Sequence, residues 1–190
     1  WLNALFGTDI HANQPISLYA DIDDRTHRMD VRCDMPAFTW NDNAYENGVI
    51  SISTPNDTLR AESSVRRINS NGGKLDMAVM AFAADNHMTT NITVNDNKPH
   101  GLNGTMKLDA RFWKSDKGLA TASVNVLPSS IYVGDTVWHV RPSEVTYRKG
   151  YLDINDFAIE HNQQHIRLSG MATANGNDSV TADLHDVDVA

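Results

Sequence analysis

From Ile16 nearly to the C-terminus, short runs place an apolar residue at every second position, and clusters of Asn, Asp and Gly separate them. Side chains on a β-strand alternate between faces, so a period of two predicts strands with one apolar and one polar side. Ile16, Leu18, Ala20 and Ile22 share one face of a first strand; the chain turns at Asp23-Asp24, and Met29, Val31 and Cys33 return on the next. Phe38-Thr39-Trp40 follows Pro36, the segment 41–48 (NDNAYENG) reads as turn, and strands are predicted over 49–54 and 59–65 around Pro55-Asn56-Asp57.

The segment 74–84 carries two signals. Leu75, Ala78, Val79 and Phe82 have helical spacing, whereas Leu75, Met77, Val79 and Ala81 have strand spacing. Its Ala and Met content favours helix. The Gly72-Gly73 entry and the strand-like HMTTNITV beyond Asp85-Asn86 make a hairpin the more economical expectation. Further strands are predicted over 104–113, which contains Met106 and Leu108, and over 119–127, linked by Ser115-Asp116-Lys117-Gly118. The last third reads as short strands at 137–140, 144–147, 152–154, 157–160, 165–169 and 180–184, with turns at Lys149-Gly150 and Asn175-Gly176-Asn177-Asp178. A helical turn over 2–6 is the one helical element expected. The fold class predicted is all-β, a mostly antiparallel sheet in one domain spanning 1–190.

Composition narrows the function classes. The chain has 190 residues and a formal charge of −8, with 16 Lys and Arg scattered among 24 acids. That balance argues against nucleic acid, whose phosphates require a basic footprint. No stretch approaches the roughly 18 apolar residues of a membrane span. Cys33 is the sole cysteine, which excludes an internal disulfide and reads as a small packing residue beside Met29 and Val31. The chain starts at Trp1, and WLNALFG runs straight into polar sequence; this reads as a fragment excised from a larger repetitive β protein, with any anchor outside it.

Candidate chemistry is sparse. His161 and His165 have the i, i+4 spacing of a helical zinc site, but the Asn162-Gln163-Gln164 between them reads as a hairpin, and no Glu follows His161. His11, His27, His87, His100, His139 and His185 lack ligand spacing. Asp21, Asp23 and Asp24, and Asp183, Asp186 and Asp188, lack the glycine and terminal Glu of a calcium loop. No nucleophile-elbow motif accompanies the serines. Neither metal, cofactor nor catalytic residue is therefore expected. Trp40, Trp113, Trp138, Tyr147 and Phe157 read as packing residues, and the sequons at Asn56, Asn91, Asn103 and Asn177 are those an Asn- and Ser/Thr-rich chain contains by chance.

The stretch from Ile131 to Gly170 places Asp135-Thr136 before Trp138, Pro142-Ser143 before Val145 and Tyr147, then the strand at 152–154, Asn155-Asp156-Phe157, and His161 leading through Gln164 to Ile166, Leu168 and Gly170. In these elements, and in the closing DSVTADLHDVDV, the chain resembles the TamB family of translocation and assembly proteins, in a Bacteroides-like version. The resemblance covers about the last third. It implies a segment of an elongated, curled sheet with an apolar concave groove (a β-taco), anchored in the inner membrane through a segment outside this chain and crossing the periplasm of a Gram-negative bacterium. It further implies phospholipid transport, outer-membrane protein assembly beside an Omp85-type barrel, and no enzymatic activity. The groove candidates are then the alternating apolar residues Ile16, Leu18, Ile22, Leu75, Val79, Met106, Leu108, Leu152, Ile154, Ile166, Leu168, Val180 and Leu184. Phospholipid acyl chains are the expected ligand, and exposed sheet edges predict edge-to-edge self-association. The alternative is a β-sandwich binding module for glycan or protein, in which a second sheet covers the apolar face.

Overall fold

In a computed structural model, which describes residues 10–116, 118–174, 176 and 178–187, the chain is all-β. The strands are β1 (Ile10–Ala12), β2 (Ser17–Asp23), β3 (Arg28–Trp40), β4 (Asn43–Ser53), β5 (Leu59–Ile68), β6 (Lys74–Ala84) and β7 (His87–Asn95), then β8 (Leu102–Lys114), β9 (Ala120–Val133), β10 (Thr136–Val140), β11 (Ser143–Arg148), β12 (Tyr151–His161), β13 (Gln164–Thr173) and β14 (Val180–His185). All fourteen belong to one antiparallel sheet. The one helical element among the described residues is a 3-10 turn at Pro55–Asp57. The helical turn expected over 2–6 lies outside the described residues.

Turn chemistry sets the hairpins. Asn41 and Asp42 both have positive φ, as do Asp85 and Asn86. This is the two-residue turn whose twist matches that of the flanking strands, and Asn and Asp tolerate its left-handed backbone. The segment 41–48 is therefore not all turn, as its composition suggests: Asn41-Asp42 makes the reversal and Ala44 to Gly48 continue as β4. The ambiguous segment 74–84 is strand, because β6 pairs along its whole length with β5, from Ile68↔Lys74 to Leu59↔Ala83. Long-range pairing overrides its helical propensity.

Two expected breaks are absorbed as bulges. The runs 152–154 and 157–160 form a single β12, whose register against β13 shifts between Ile154 and Phe157. Asp156 has φ 49° there. A similar shift between Glu46 and Val49 interrupts β4 against β5, with Asn47 at φ 54°. Each bulge adds one residue to one strand, so the apolar positions on either side stay on the same face although their spacing is odd.

The chain separates into two compact units, one containing the residues up to Ala84 with Ile92–Asn103, the other Asp85–Asn91 with the residues from Gly104 onward. In the first unit β1 and β2 lie end to end along β3, β1 against Phe38 to Trp40 and β2 against Arg28 to Asp34; β4, β5 and β6 follow. The second unit repeats the device. β10 and β11 occupy one row between β9 and β12, interrupted at Arg141-Pro142. β9 changes partner from β11 at Val126 to β10 at Ser129, so Pro128, which lacks an N–H, falls in the gap between these two ladders. β13 and β14 complete this unit.

Full burial is rare. Among the described residues the buried apolar ones are Phe38 and Ala81 in the first unit and Ala110, Val126, Val140 and Ala158 in the second. Phe38 stacks on Tyr45 with ring centroids 5.1 Å apart, and a Cβ on Gly48 would approach its ring edge to 3.0 Å. Truncation should therefore cost unequally. Phe38→Ala, which removes a side chain only 6% exposed, is expected to lose about 3 kcal/mol. Ile22→Ala, at a side chain 67% exposed, should lose under about 1 kcal/mol. Urea denaturation of both variants checks this, and an equal loss would mean that the Ile22 face is packed.

Candidate functional site

Residues paired across an antiparallel ladder project to the same face, so the register maps the faces directly. In the first unit Leu18, Cys33, Ile50, Ser63 and Val79 form one transverse row, and Ala20, Val31, Ile52, Ala61 and Ala81 the next. Ile22 pairs with Met29, and Leu59 with Ala83, on the same side. Leu75 lies two alternations from Val79 on β6 and joins this face opposite Arg67. Ile16, half-buried, immediately precedes β2. Thus Leu18, Ile22, Leu75 and Val79 share one face, with Val31, Ile50 and Ile52 filling the rows between them.

The second unit has an apolar face built the same way. Ile159, Ile166 and Leu184 form one row, Phe157, Leu168 and Ala182 the next, and Val124, Val145, Ile154, Gly170 and Val180 a third; Ala122, Tyr147, Leu152 and Ala172 make the fourth. Six predicted residues, Leu152, Ile154, Ile166, Leu168, Val180 and Leu184, are therefore brought onto one contiguous surface. Met106 and Leu108 alternate with Lys107 and Asp109 along β8 and are half-buried. Gly170 has φ 123°, and a Cβ there would lie 2.3 Å from the Ser179 carbonyl oxygen, so only glycine lets β14 close on β13.

The sequence reading did not place Phe157, Ile159, Val124, Val145 or Val140 with this set. Strict alternation through 152–159 puts Ile154 and Phe157 on opposite sides, and the bulge returns them to one. The signal was the Asn155-Asp156 pair, the residue types that accept a positive φ inside a strand. The surface is open: Leu184 is 56% exposed.

The reverse face of each unit is polar and ion-paired. Arg28 pairs with Asp21, Arg32 with Asp34 and Arg60 with Glu62. Arg66 donates from Nε and Nη2 to Asp76 at 2.5 and 2.9 Å, and Asn97 donates to the same carboxylate at 2.7 Å. These bonds, Arg66 foremost, hold the Asp76 carboxyl below its ordinary range. In the second unit Arg141 and Arg167 flank Glu160, and Ser123 donates to Glu144 at 2.6 Å. The hydrogen bond from His165 holds Asp183 below its ordinary range, and the His165 ring stacks on His185. Burial, with Asp34 nearby, pushes the Cys33 thiol up, consistent with a packing rather than a reactive residue.

His161 and His165 lie on the two strands of a hairpin rather than along a helix and on opposite faces, His161 paired with Gln164 and His165 with Glu160. His161 Nδ1 donates to the Val137 carbonyl at 2.7 Å, and its ring lies against Trp138. Among the described residues no three His, Cys, Asp or Glu side chains converge as metal ligands do. Trp40, Trp113 and Tyr147, expected to pack, are exposed. The chain matches no family model, no curated protein and no solved structure.

The polar face yields a pH prediction. Because the folded-state pKa of Asp76 is depressed, its contribution to stability is complete above the ordinary value of 3.8 and is lost as the pH falls through the lower folded value. Asp76→Asn should lower the urea midpoint at neutral pH, and the gap from the parent should close in acid. A gap that persists in acid would assign the effect to packing instead of charge.

Proposed function

We propose that the apolar face of this sheet shields phospholipid acyl chains, and that the chain is a periplasmic segment of an envelope lipid-transport conduit of the TamB kind. The observation that carries the reading is the continuous run of apolar rows, from Leu152 through Ile154, Phe157 and Ile159 to Val180 and Leu184, on a face that stays accessible. Exposed apolar patches of this extent mark interaction surfaces. Each acyl methylene withdrawn from water contributes about 0.8 kcal/mol, so a chain laid across several rows gains far more than any single polar contact supplies. The ion-paired reverse face suits water, and the reading assigns no catalytic residue. An Omp85-type barrel as partner and strand addition at the β2 or β14 edge belong to the same proposal. A glycan- or protein-binding sandwich needs a second sheet over the apolar face. Within each unit the described strands lie in one sheet, which favours the open-face reading.

A photo-crosslinking residue at position 166 tests the proposal, with mass spectrometry of the captured species. Crosslinks to phospholipid are expected. Leu168→Asp sets a carboxylate among the acyl chains, which cannot solvate it, and should abolish them. The melting temperature should fall only modestly, for about 1–2 kcal/mol of lost half-burial. A parent that never crosslinks lipid, together with a Leu168→Asp variant that unfolds, would overturn the conduit and leave the sandwich.

A further inference from the structure

Among the residues paired in β1 to β6, one charged side chain falls on the apolar face. It is Arg67, which follows Leu59, Ala61, Ser63 and Val65 on that side of β5 and stands between Tyr45 of β4 and Leu75 of β6. The other strand cations of this unit, Arg28, Arg32, Arg60, Arg66 and Lys74, lie on the reverse face, and each reaches a carboxylate. Arg67 reaches none among the described residues. Half-buried, it donates from Nη2 to Asn43 Oδ1 at 2.7 Å, and its Nε is buried without a hydrogen-bond partner. A guanidinium set on apolar surface with most of its donors unspent lacks the anion that such a charge ordinarily finds.

Arg67 lines an open hollow of about 540 Å³ at the end of the apolar rows, together with Asp42, Asn43, Asn69, Ser70 and Asn71. Asp42 is the acid of this hollow, and among the described residues it pairs with no cation. The hollow thus holds one cation and one anion, unpaired with each other, among neutral amides and a hydroxyl. The next charges are Lys98, whose Nζ lies against Gly73, and Asp96, whose carboxylate accepts the Lys98 backbone N–H at 3.1 Å; together they add no net charge. Trp40 pairs with Asn43 and is 43% exposed, so a large amphipathic ring stands where the apolar face meets this polar end.

We infer that this hollow takes the head of a zwitterionic phospholipid, its phosphate on Arg67 and its ammonium on Asp42, while an acyl chain runs back past Val65, Ser63 and Ala61 toward Leu59. The assignment rests on the reading of the apolar face as an acyl-chain surface, and adds which head is held and where. Charge complementarity selects the occupant: two separated, opposite charges match a head that carries both, whereas a purely anionic head would set its surplus charge beside Asp42. The planar fork of Arg67 suits two phosphate oxygens at once. The strand from Arg67 back to Leu59 is about 26 Å long. That exceeds the ~15 Å an acyl chain takes up in one leaflet, half of a hydrocarbon core about 30 Å thick.

Lipid capture by the whole chain tests it. The protein is incubated with vesicles of phosphatidylethanolamine and phosphatidylglycerol in equal parts, re-isolated, and its lipid identified by mass spectrometry. Phosphatidylethanolamine should be captured in about threefold excess. Arg67→Gln should lower capture of both lipids about tenfold. Asp42→Asn, whose new side chain also accepts the positive φ of that turn, should keep capture but level the two lipids. Arg60→Gln, on the reverse face, should behave like the parent, and all three variants should keep the parent melting temperature; if Arg67→Gln lowers it, Asp42→Asn decides alone. A photo-crosslinking residue at position 79 reads acyl contact apart from the head. Lipid crosslinked there, with both heads captured equally by the parent or with the preference unchanged in Asp42→Asn, overturns this assignment and leaves the acyl-chain surface standing. No lipid at position 79 overturns both. Displacement of the lipid by glycerophosphoethanolamine, the same head without acyl chains, would also overturn it and mark the hollow as a site for a soluble phosphodiester.

Discussion

Register is the constraint on which the rest of this structure depends. In a sheet with an alternating pattern, a slip of one residue carries every apolar side chain of a strand to the polar side. The ladder from β2 through β6 keeps Leu18, Cys33, Ile50 and Val79 in one row, and that from β11 through β14 keeps Val145, Ile154, Gly170 and Val180 in another. Where strand lengths disagree, bulges at Asn47 and Asp156 take up the extra residue without surrendering the face. Pro128 and Pro142 sit where a row changes partner, in the gaps between successive ladders.

The polar side reinforces the same register. Arg66 and Asp76 are direct cross-strand partners, as are Arg167 and Asp183, and Glu160 takes both Arg141 and Arg167. Exposed pairs of this kind contribute between about 0 and 1 kcal/mol each, so they do not hold the sheet together. Their effect is selective: a slipped register would set these charges against apolar neighbours or like charges, which disfavours the alternatives more than it stabilises the native pairing.

Energetically the protein inverts the usual arrangement, in which the largest apolar side chains are the most buried. Here the fully buried apolar residues are mostly alanine and valine, while Ile22, Leu18, Leu184 and Tyr147 stand in solvent. A face of that kind leaves hydrophobic free energy unrealised until something covers it, and acyl chains supply a cover of indefinite length with no directional requirement.

Much of this was legible along the chain. Alternation identified the strands, their apolar members and the all-β class, because side-chain direction in a strand follows from backbone geometry alone, and the Asn-, Asp- and Gly-rich clusters marked the reversals. Tertiary pairing decided what alternation cannot encode. It bore out the strand expected over 74–84, where β5 supplies hydrogen bonds that helical propensity does not outweigh, and it extended β4 into a segment composed like a turn. It joined 152–154 to 157–160 across a bulge, so that Leu152, Ile154, Phe157, Ile166 and Leu168 became one surface in place of separate sets. The position of one strand beside another depends on ladder bonds between remote residues, and no local pattern specifies which neighbour those bonds will find.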